Sequence, residues 1–503
     1  MLDKLLERLK SGSDIRGIAM RTDDASVLEL TNDVISKILF AFVEWLAERN
    51  DLKRSSITIA IGHDPRLSAG RIKNVCINTL RGIGVNVCDC SLCSTPAMYL
   101  ATSVLSCSAA IEITASHHPK NRNGLKFFTV DGGITSTELE NILNRAQNYV
   151  SDAPGQKGHV RSIDLMQYYC EKLKELICSG VTNATNKHQP LKGVKIVVDA
   201  GNGAGGFFVS KVLNPLGADT QGSAYLEPDG EFPNHAPNPE DPQALESIIN
   251  LTKASNADLG IIFDTDVDRV AFVSKNGSPV SGEKLIALAS SMVLKDAPDS
   301  IIVTDSVTSD NLKEFIIKLG GMQFRYKRGY NNVIAMAKKI NAKGGNCPLA
   351  IESSGHAAFK ENNFIDDGAY LAAKVIIELV NLKQAGKTLD DAIKNLVTAK
   401  EKVTVRIPIN SENAFEYSEE VLDSIKTRTH SNRHMKIDEN NIEGVRVNMP
   451  EKSCKGWFIV RKSVHDPELV LHAESEVSGG LKNILELVKS SLKSFGELDL
   501  SGF

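Results

Sequence analysis

Residues 109–119 read Ala109-Ala110-Ile111-Glu112-Ile113-Thr114-Ala115-Ser116-His117-His118-Pro119. The first five make an apolar run, broken only by Glu112, with the length of a buried strand. The run ends in a serine backed by two histidines, and Pro119 bars regular structure just beyond. A hydroxyl at a strand end, beside groups that relay protons or bind anions, is a candidate nucleophile. The same residues also suit a polar loop in which Ser116 makes an ordinary turn hydrogen bond. Matching parts elsewhere in the chain decide between the two.

Outward from this stretch, strand, polar loop and helix alternate. Residues 30–50 form a helical pattern in which Val34, Ile35, Ile38, Leu39, Phe42, Val43 and Leu46 share a face behind the caps Thr31, Asn32 and Asp33. A strand over 57–61 leads into Gly62-His63-Asp64-Pro65-Arg66. The order recurs at 195–198 with a second polar strand tip at 264–269, and at 301–303 with a second tip at 352–356. Three similar mixed α/β domains are expected, with ligand loops at the strand C-terminal ends. Strands over 402–407 and 457–460, around a capped helix and before a terminal helix at 484–492, predict a smaller α+β C-terminal domain. Pro, Gly and polar clusters put the seams so that the domains are 1–158, 159–296, 297–400 and 401–503.

The chain has 503 residues, 42% of them hydrophobic and 24% charged, as in soluble multidomain proteins. Its 58 basic and 62 acidic residues nearly balance, which gives no sign of a nucleic-acid or membrane partner. No apolar run approaches the ~20 residues of a membrane span. The mixed-charge start resembles no secretion signal. Nine scattered cysteines read as reduced thiols of a cytosol-like compartment. At Cys88, Cys90 and Cys93, no second, paired Cys-x-x-Cys and no nearby histidine completes a tetrahedral metal set with Cys90-Ser91-Leu92-Cys93. The expected location is cytoplasmic, or an organelle such as a plastid after removal of a transit peptide.

Four more loops carry candidate chemistry. Asp264-Thr265-Asp266-Val267-Asp268-Arg269 sets three carboxylates at alternate positions after an apolar strand, costly without a cation. Mg²⁺ suits them best, with Arg269 offsetting charge or binding an anion. An EF-hand fails, because its glycine and glutamate positions hold Arg269 and Lys275. A solvated acidic turn and an aspartyl-phosphate enzyme using Asp264 stay open here. Residues 199–206 match G-x-G-x-x-G with Glu227 beyond, but Asp199 would repel a pyrophosphate, so a glycine-rich turn is preferred to a dinucleotide site. Glu352 and Ser354 can fork onto sugar hydroxyls, and His356 titrates in the range of an acid/base. Arg461 and Ser463 offer a phosphate fork.

Taken together these loops resemble the α-D-phosphohexomutase family, and its phosphomannomutase/phosphoglucomutase branch, over nearly the whole chain and in family order. Asp14-Ile15-Arg16-Gly17 resembles the N-terminal substrate motif, and Gly62-His63-Asp64-Pro65-Arg66-Leu67-Ser68 the first-domain loop. Residues 114–119 with Asn123-Gly124-Leu125-Lys126 resemble the phosphoserine loop. Residues 230–240 and 264–269 are similar to the second-domain signature and metal loop. Residues 352–356 with Asp366-Asp367-Gly368 resemble the sugar-binding region, and 461–467 with Glu474 the C-terminal phosphate loop.

The resemblance implies four domains around a central cleft and interconversion of hexose 1-phosphate and hexose 6-phosphate, of glucose and/or mannose. It implies a phosphoserine at Ser116 and a 1,6-bisphosphate intermediate, with glucose 1,6-bisphosphate as activator. Ser116, Asp264, Asp266 and Asp268 would hold Mg²⁺. Arg16, His117, Lys126, Arg269 and His356 would serve the chemistry. Glu352, Ser354, Lys327, Gly329, Arg461, Ser463 and His465 would bind substrate. Monomer or homodimer are the expected states.

Three departures mark this chain: His118 where the family commonly has Asn, Val464-His465 where Gly-Thr is common, and Tyr330 where some relatives have His. A phosphoglucosamine mutase is disfavoured by Ser353 after Glu352, where Gln is usual, and by Ile365-Asp366-Asp367-Gly368. A non-catalytic sugar-phosphate-binding protein of the same fold is the other alternative.

Overall fold

The computed structural model describes residues 4–22, 27–148, 156–182, 186–430, 435–463 and 467–503. Packing divides the chain into two units, residues 1–285 with 354–392, and residues 286–353 with 393–503.

The first unit opens with an eight-stranded sheet. Its order is Lys10–Ser11, Asp14–Ile18, Arg122–Thr129, Ala109–Ile113, Thr58–His63, Asn86–Leu92 and Val160–Ser162, with Gly132–Gly133 paired to Arg122–Thr129. Thr58–His63 runs parallel to both Asn86–Leu92 and Ala109–Ile113. Ala109–Ile113 is buried at all five positions, which is why its sequence is a continuous apolar run and not an alternation. The expected helix spans Asn32–Asn50, with the Thr31 side chain accepting from Val34 N at 3.3 Å as N-cap. Its Ile35, Ile38, Leu39, Phe42 and Leu46 complete one core with Ile59, Ile111 and Phe127.

A second sheet orders Pro279–Val280, Val270–Ser274, Leu259–Phe263 and Ile196–Asp199. Leu259–Phe263 is parallel to Ile196–Asp199 and forms a hairpin with Val270–Ser274, closed by the pair Phe263 and Val270. The acidic residues 264–269 are therefore the turn of that hairpin. Residues 354–392 add the short strand Ala357–Phe359 and the helix Gly368–Gln384, which packs on the helix Leu165–Gly180. The glycine-rich segment does not open a regular α-helix: Ala204–Gly206 is a 3₁₀ turn and Phe208–Leu213 a wide π-type turn.

In the second unit Ile301–Thr304 pairs in parallel with Met322–Arg325 and with Leu349–Ile351. The C-terminal region is a five-stranded antiparallel sheet ordered Glu401–Pro408, Glu468–Ser475, Gly456–Lys462, Val445–Met449 and Lys436–Ile437. The helices Ala414–His430 and Gly480–Leu492 close its core around Ile407, Val447, Phe458 and Leu471. No described helix is long and apolar enough to cross a membrane. All nine cysteines are free, and all but Cys178 are buried.

Candidate active site

The strand Ala109–Ile113 delivers Ser116 in the left-handed region, at φ 49°. A non-glycine residue held there costs roughly 1–3 kcal/mol and needs its surroundings to enforce it. Arg66 does so. Its buried guanidinium donates to the carbonyls of Ser116, His118 (2.7 Å), Pro119 (2.7 Å) and Arg122 (3.0 Å), and its Nε to Asp64 Oδ2 at 3.1 Å. Thr114 Oγ1 accepts from Ser116 N at 2.8 Å, and Thr265 Oγ1 donates to Ser116 O at 2.8 Å. Arg16 donates to Thr114 O and to Asp14 Oδ2 (2.9 Å). Gly124 permits this, since a Cβ there would lie 2.0 Å from Ile15 O and 2.7 Å from Arg16 Nη1.

Ser116 Oγ donates to Asp264 Oδ2 at 3.0 Å, joining the serine loop to the acidic turn. Asp264, Asp266 and Asp268 are fully buried, with oxygens within 4.8 Å of one another. Carboxylates this close repel by roughly 4 kcal/mol per pair at an effective dielectric near 20. Lys126 meets Asp266 Oδ2 at 3.0 Å and also contacts Asp268. Arg269 Nε meets Asp264 Oδ2 at 3.1 Å. Two cations thus face three carboxylates. Asp266 Oδ1 and Asp268 Oδ1 accept no hydrogen bond among the described residues. Converging carboxylate oxygens, two of them without a hydrogen-bond donor among the described residues, fit a hard divalent cation. Val267, β-branched, sits at φ 66° to form the turn. Gly368 lets the chain close over it, because a Cβ there would meet Arg269 C at 2.8 Å and Val267 O at 2.9 Å.

The electrostatics separate the neighbouring groups. Burial and the charges of Asp268 and Asp266 push Asp264 well above the usual carboxylate range. Burial opposes ionisation of Asp268 too, but Lys126, then His356 and Arg269, hold it well below that range. His117 Nδ1 lies 3.4 Å from Ser116 Oγ. The Arg269 guanidinium first, then burial and the charges of His118, His356 and Arg16, hold His117 well below the usual histidine value. His356 is bonded to Asp366 and lies 3.9 Å from Asp268 Oδ1. Those carboxylates outweigh its burial and raise it to about 9. At neutral pH one histidine is therefore a free base and the other a cation, the pattern by which acid and base roles are divided. Arg269 Nη2 is buried without a described partner, a donor left for an anion.

The remaining predicted residues are placed as follows. Ser354 Oγ, in the first unit, is buried without a described partner. In the second unit Glu352 is buried and accepts from Gly329 N at 2.6 Å. Lys327 is exposed, whereas its neighbour Arg328 donates its N–H to Glu443 Oε2 at 3.1 Å. Arg461 is buried, forms no ion pair among the described residues and donates only to Lys462 O at 3.0 Å. Burial, then the charge of Arg328, lowers its pKa. A buried guanidinium at a strand end, with a second guanidinium acting on it and no ion pair among the described residues, suits an anion. Ser463 N donates to Glu468 O at 2.9 Å. His465 lies outside the described residues. Glu474 does not adjoin Arg461: it pairs with Trp457, four register positions away, roughly 13 Å along the strand. It accepts from Trp457 Nε1 at 3.1 Å.

Asp199 has its own partners. His235 Nε2 lies 3.0 and 3.1 Å from its two oxygens, and Ser247 Oγ donates to it at 2.6 Å. That carboxylate fills the place a pyrophosphate would need.

Comparisons with known proteins bear on the same residues. Three family models match consecutive stretches: phosphoglucomutase/phosphomannomutase α/β/α domain I over residues 7–152, domain II over 167–277 and domain III over 281–399. A phosphomannomutase/phosphoglucomutase of Pseudomonas syringae pv. tomato is 31% identical over 89% of this chain and 90% of its own. The chain belongs to the phosphoglucomutase/phosphomannomutase family, within the α-D-phosphohexomutases. A phosphoglucomutase of Neisseria gonorrhoeae is 27% identical over 96% of both chains. The crystal structure of a family protein from Burkholderia thailandensis superposes with a TM-score of 0.79, at 26% identity over 98% of each chain. As a family member the chain is a mutase, an intramolecular phosphotransferase that interconverts hexose phosphates.

Proposed function

We propose that Ser116 carries the phosphoryl group in transit between O1 and O6 of glucose or mannose phosphate. The observation that supports this most directly is the 3.0 Å bond from Ser116 Oγ to Asp264, inside a cluster of three buried carboxylates. Asp264, Asp266 and Asp268, with Ser116, would hold Mg²⁺. Bound there, Mg²⁺ neutralises charge on the oxygens of the transferring phosphoryl group.

The chain's own groups account for the remainder. A sugar hydroxyl attacks the phosphorus of phosphoserine. The P–O bond to Ser116 breaks, a P–O bond to the sugar forms, and the hydroxyl proton passes to a neutral base, a role we assign to His117, whose Nδ1 lies 3.4 Å from Ser116 Oγ. Lys126, Arg16 and the free Nη2 of Arg269 stabilise phosphoryl oxygens, and His356 adds a fixed positive charge. Glu352 and Ser354 grip sugar hydroxyls. Arg461 anchors the non-reacting phosphate, with Gly329, Lys327, Ser463 and His465 completing the cradle. The product of the first transfer is a 1,6-bisphosphate, and return of its other phosphate to Ser116 regenerates the enzyme, so glucose 1,6-bisphosphate acts as activator. Nine free cysteines support a reducing, cytosol-like compartment.

A coupled assay of glucose 1-phosphate and mannose 1-phosphate, with and without glucose 1,6-bisphosphate, tests the reading. Turnover should depend on Mg²⁺ and be primed by the bisphosphate, with phosphate mapped to Ser116. Release of inorganic phosphate without isomerisation, or binding without exchange, would overturn it.

A further inference from the structure

Cys88 and Cys107 lie at the two ends of one structural loop. Cys88 is on the strand Asn86–Leu92 and Cys107 follows the helix Thr95–Val104, so the pair brackets that helix. Their sulfurs are 3.8 Å apart. Arg161 Nε, on the neighbouring edge strand Val160–Ser162, donates to Cys88 Sγ at 3.2 Å. All three residues of that edge strand are exposed, so Cys88, though buried, is one strand away from solvent. Hydrogen bonding from Cys107, followed by Arg161, outweighs burial and brings Cys88 down to about 6. Cys107, hydrogen-bonded to Cys88 and buried, is pushed up. Thiolate character beside a cation is what makes a cysteine reactive.

The bracketed helix reaches the acidic turn. At its first residue Thr95 Oγ1 donates to Asp266 Oδ2 at 2.5 Å, and Thr95 N donates to Asp266 O at 2.9 Å. A covalent bond between Cys88 and Cys107 must draw the sulfurs in to ~2.05 Å, a contraction applied to the two flanks of the helix whose first residue holds Asp266.

We propose that Cys88 and Cys107 form a reversible dithiol/disulfide pair, oxidised by a hydroperoxide, that adjusts the acidic turn through Thr95. The Cys88 thiolate attacks one oxygen of the hydroperoxide. The O–O bond breaks, the leaving oxygen departs as water or an alcohol, and Cys88 becomes a sulfenic acid. Cys107 then attacks the Cys88 sulfur and expels hydroxide, which takes up the Cys107 proton as water. Two thiols are oxidised and one hydroperoxide is reduced. A dithiol reductant reverses the step by exchange. The consequence for turnover rests on the mutase reading; the bond itself does not.

The test treats the full-length protein with hydrogen peroxide at neutral pH, removes the peroxide, unfolds the protein in denaturant, alkylates free thiols and measures the intact mass. Two fewer alkylated cysteines are expected, restored by dithiothreitol. Cys88, Cys90, Cys93 and Cys107 share one tryptic peptide, because no Lys or Arg lies between Arg81 and Lys120. Cyanogen bromide cleavage after Met98 separates Cys107 from the other three. The two fragments should stay joined until reduced. Cys88→Ser and Cys107→Ser should each abolish the link, and Cys90→Ser and Cys93→Ser should keep it. The surface variant Arg161→Ala, which leaves both thiols in place, should slow oxidation about tenfold by lowering the thiolate fraction. Nine alkylatable thiols after peroxide, or a link that survives in Cys88→Ser or Cys107→Ser, would overturn the proposal. Mutase turnover should fall on oxidation and recover with dithiothreitol in the unsubstituted protein but not change in Cys107→Ser. Unchanged turnover in an oxidised, linked sample would overturn the coupling to Asp266, whereas absence of turnover before oxidation would count against the mutase reading alone.

Discussion

The acidic turn at 264–269 and the strand end at Arg461 both bury charge, and they handle it differently. In the first, Lys126 and Arg269 pair with the carboxylates, and Thr95 and Ser116 donate to them. At the second, Arg461 has no ion pair among the described residues; burial and the like charge of Arg328 work against its charge, and Glu443, Asp305 and Glu352 only partly offset them. A site whose charges are mostly satisfied internally is organised before anything binds. A site whose cations repel one another is completed by its ligand. The contrast is what the proposed function requires, with chemistry at the turn and anchoring at the strand end.

Ser116→Ala should break the comparison most severely. Turnover should fall to background with no protein-bound phosphate by intact mass, while the thermal transition stays near that of the unsubstituted protein. Next comes the metal. Mg²⁺ at a hundredfold excess over its Kd should add about 2.7 kcal/mol of stability, read as a raised Tm. Asp266→Asn should lose that increment and about 10²–10³ in turnover. The substitution relieves like-charge repulsion but also removes the buried ion pair with Lys126, so the readout is the loss of the Mg²⁺-dependent rise in Tm. Arg461→Ala should raise KM about 10- to 100-fold, the worth of a charge-assisted hydrogen bond, with a smaller effect on kcat and little change in Tm. A comparable fall in Tm would erase the distinction between the two regions.

The smallest effect concerns His235. Burial works against its proton, but Asp199 outweighs this and raises its pKa. Protonated His235 therefore favours the folded state. Its contribution is whole below the unfolded value near 6.5 and is lost as pH rises through the higher folded value. Unfolding followed from pH 6 to 9 should show that decline in the unsubstituted protein and a flatter profile in His235→Gln.

Local signals in the sequence carried far. Ala109–Ile113 and Leu259–Phe263 are strands because their apolar runs are buried on both faces. The alternate carboxylates marked a place where buried negative charge needs compensation, and the fold brings Lys126 and Arg269 to it. What the sequence hid is long-range. Arg66 stands in a quoted motif, yet its grip on four carbonyls fifty or more residues away has no local signature. Neither does the bond from Thr95 to Asp266, 171 residues apart. Between the adjacent cations Lys327 and Arg328 only the fold decides which one faces Arg461. The antiparallel register alone shows that Glu474 belongs to Trp457.

The first unit takes residues 354–392 from beyond residue 285. A chain made from its N-terminus presents Ser116 and the acidic turn roughly ninety residues before His356 and Asp366 emerge. At about 5–20 residues per second that interval is several seconds. During it, three like charges wait on the ribosome without the hydrogen-bonded histidine and the helix Gly368–Gln384 that finish their enclosure. No single cut in the chain yields this unit intact, and a nascent protein stalled near residue 300 holds Ser116 beside an unfinished wall.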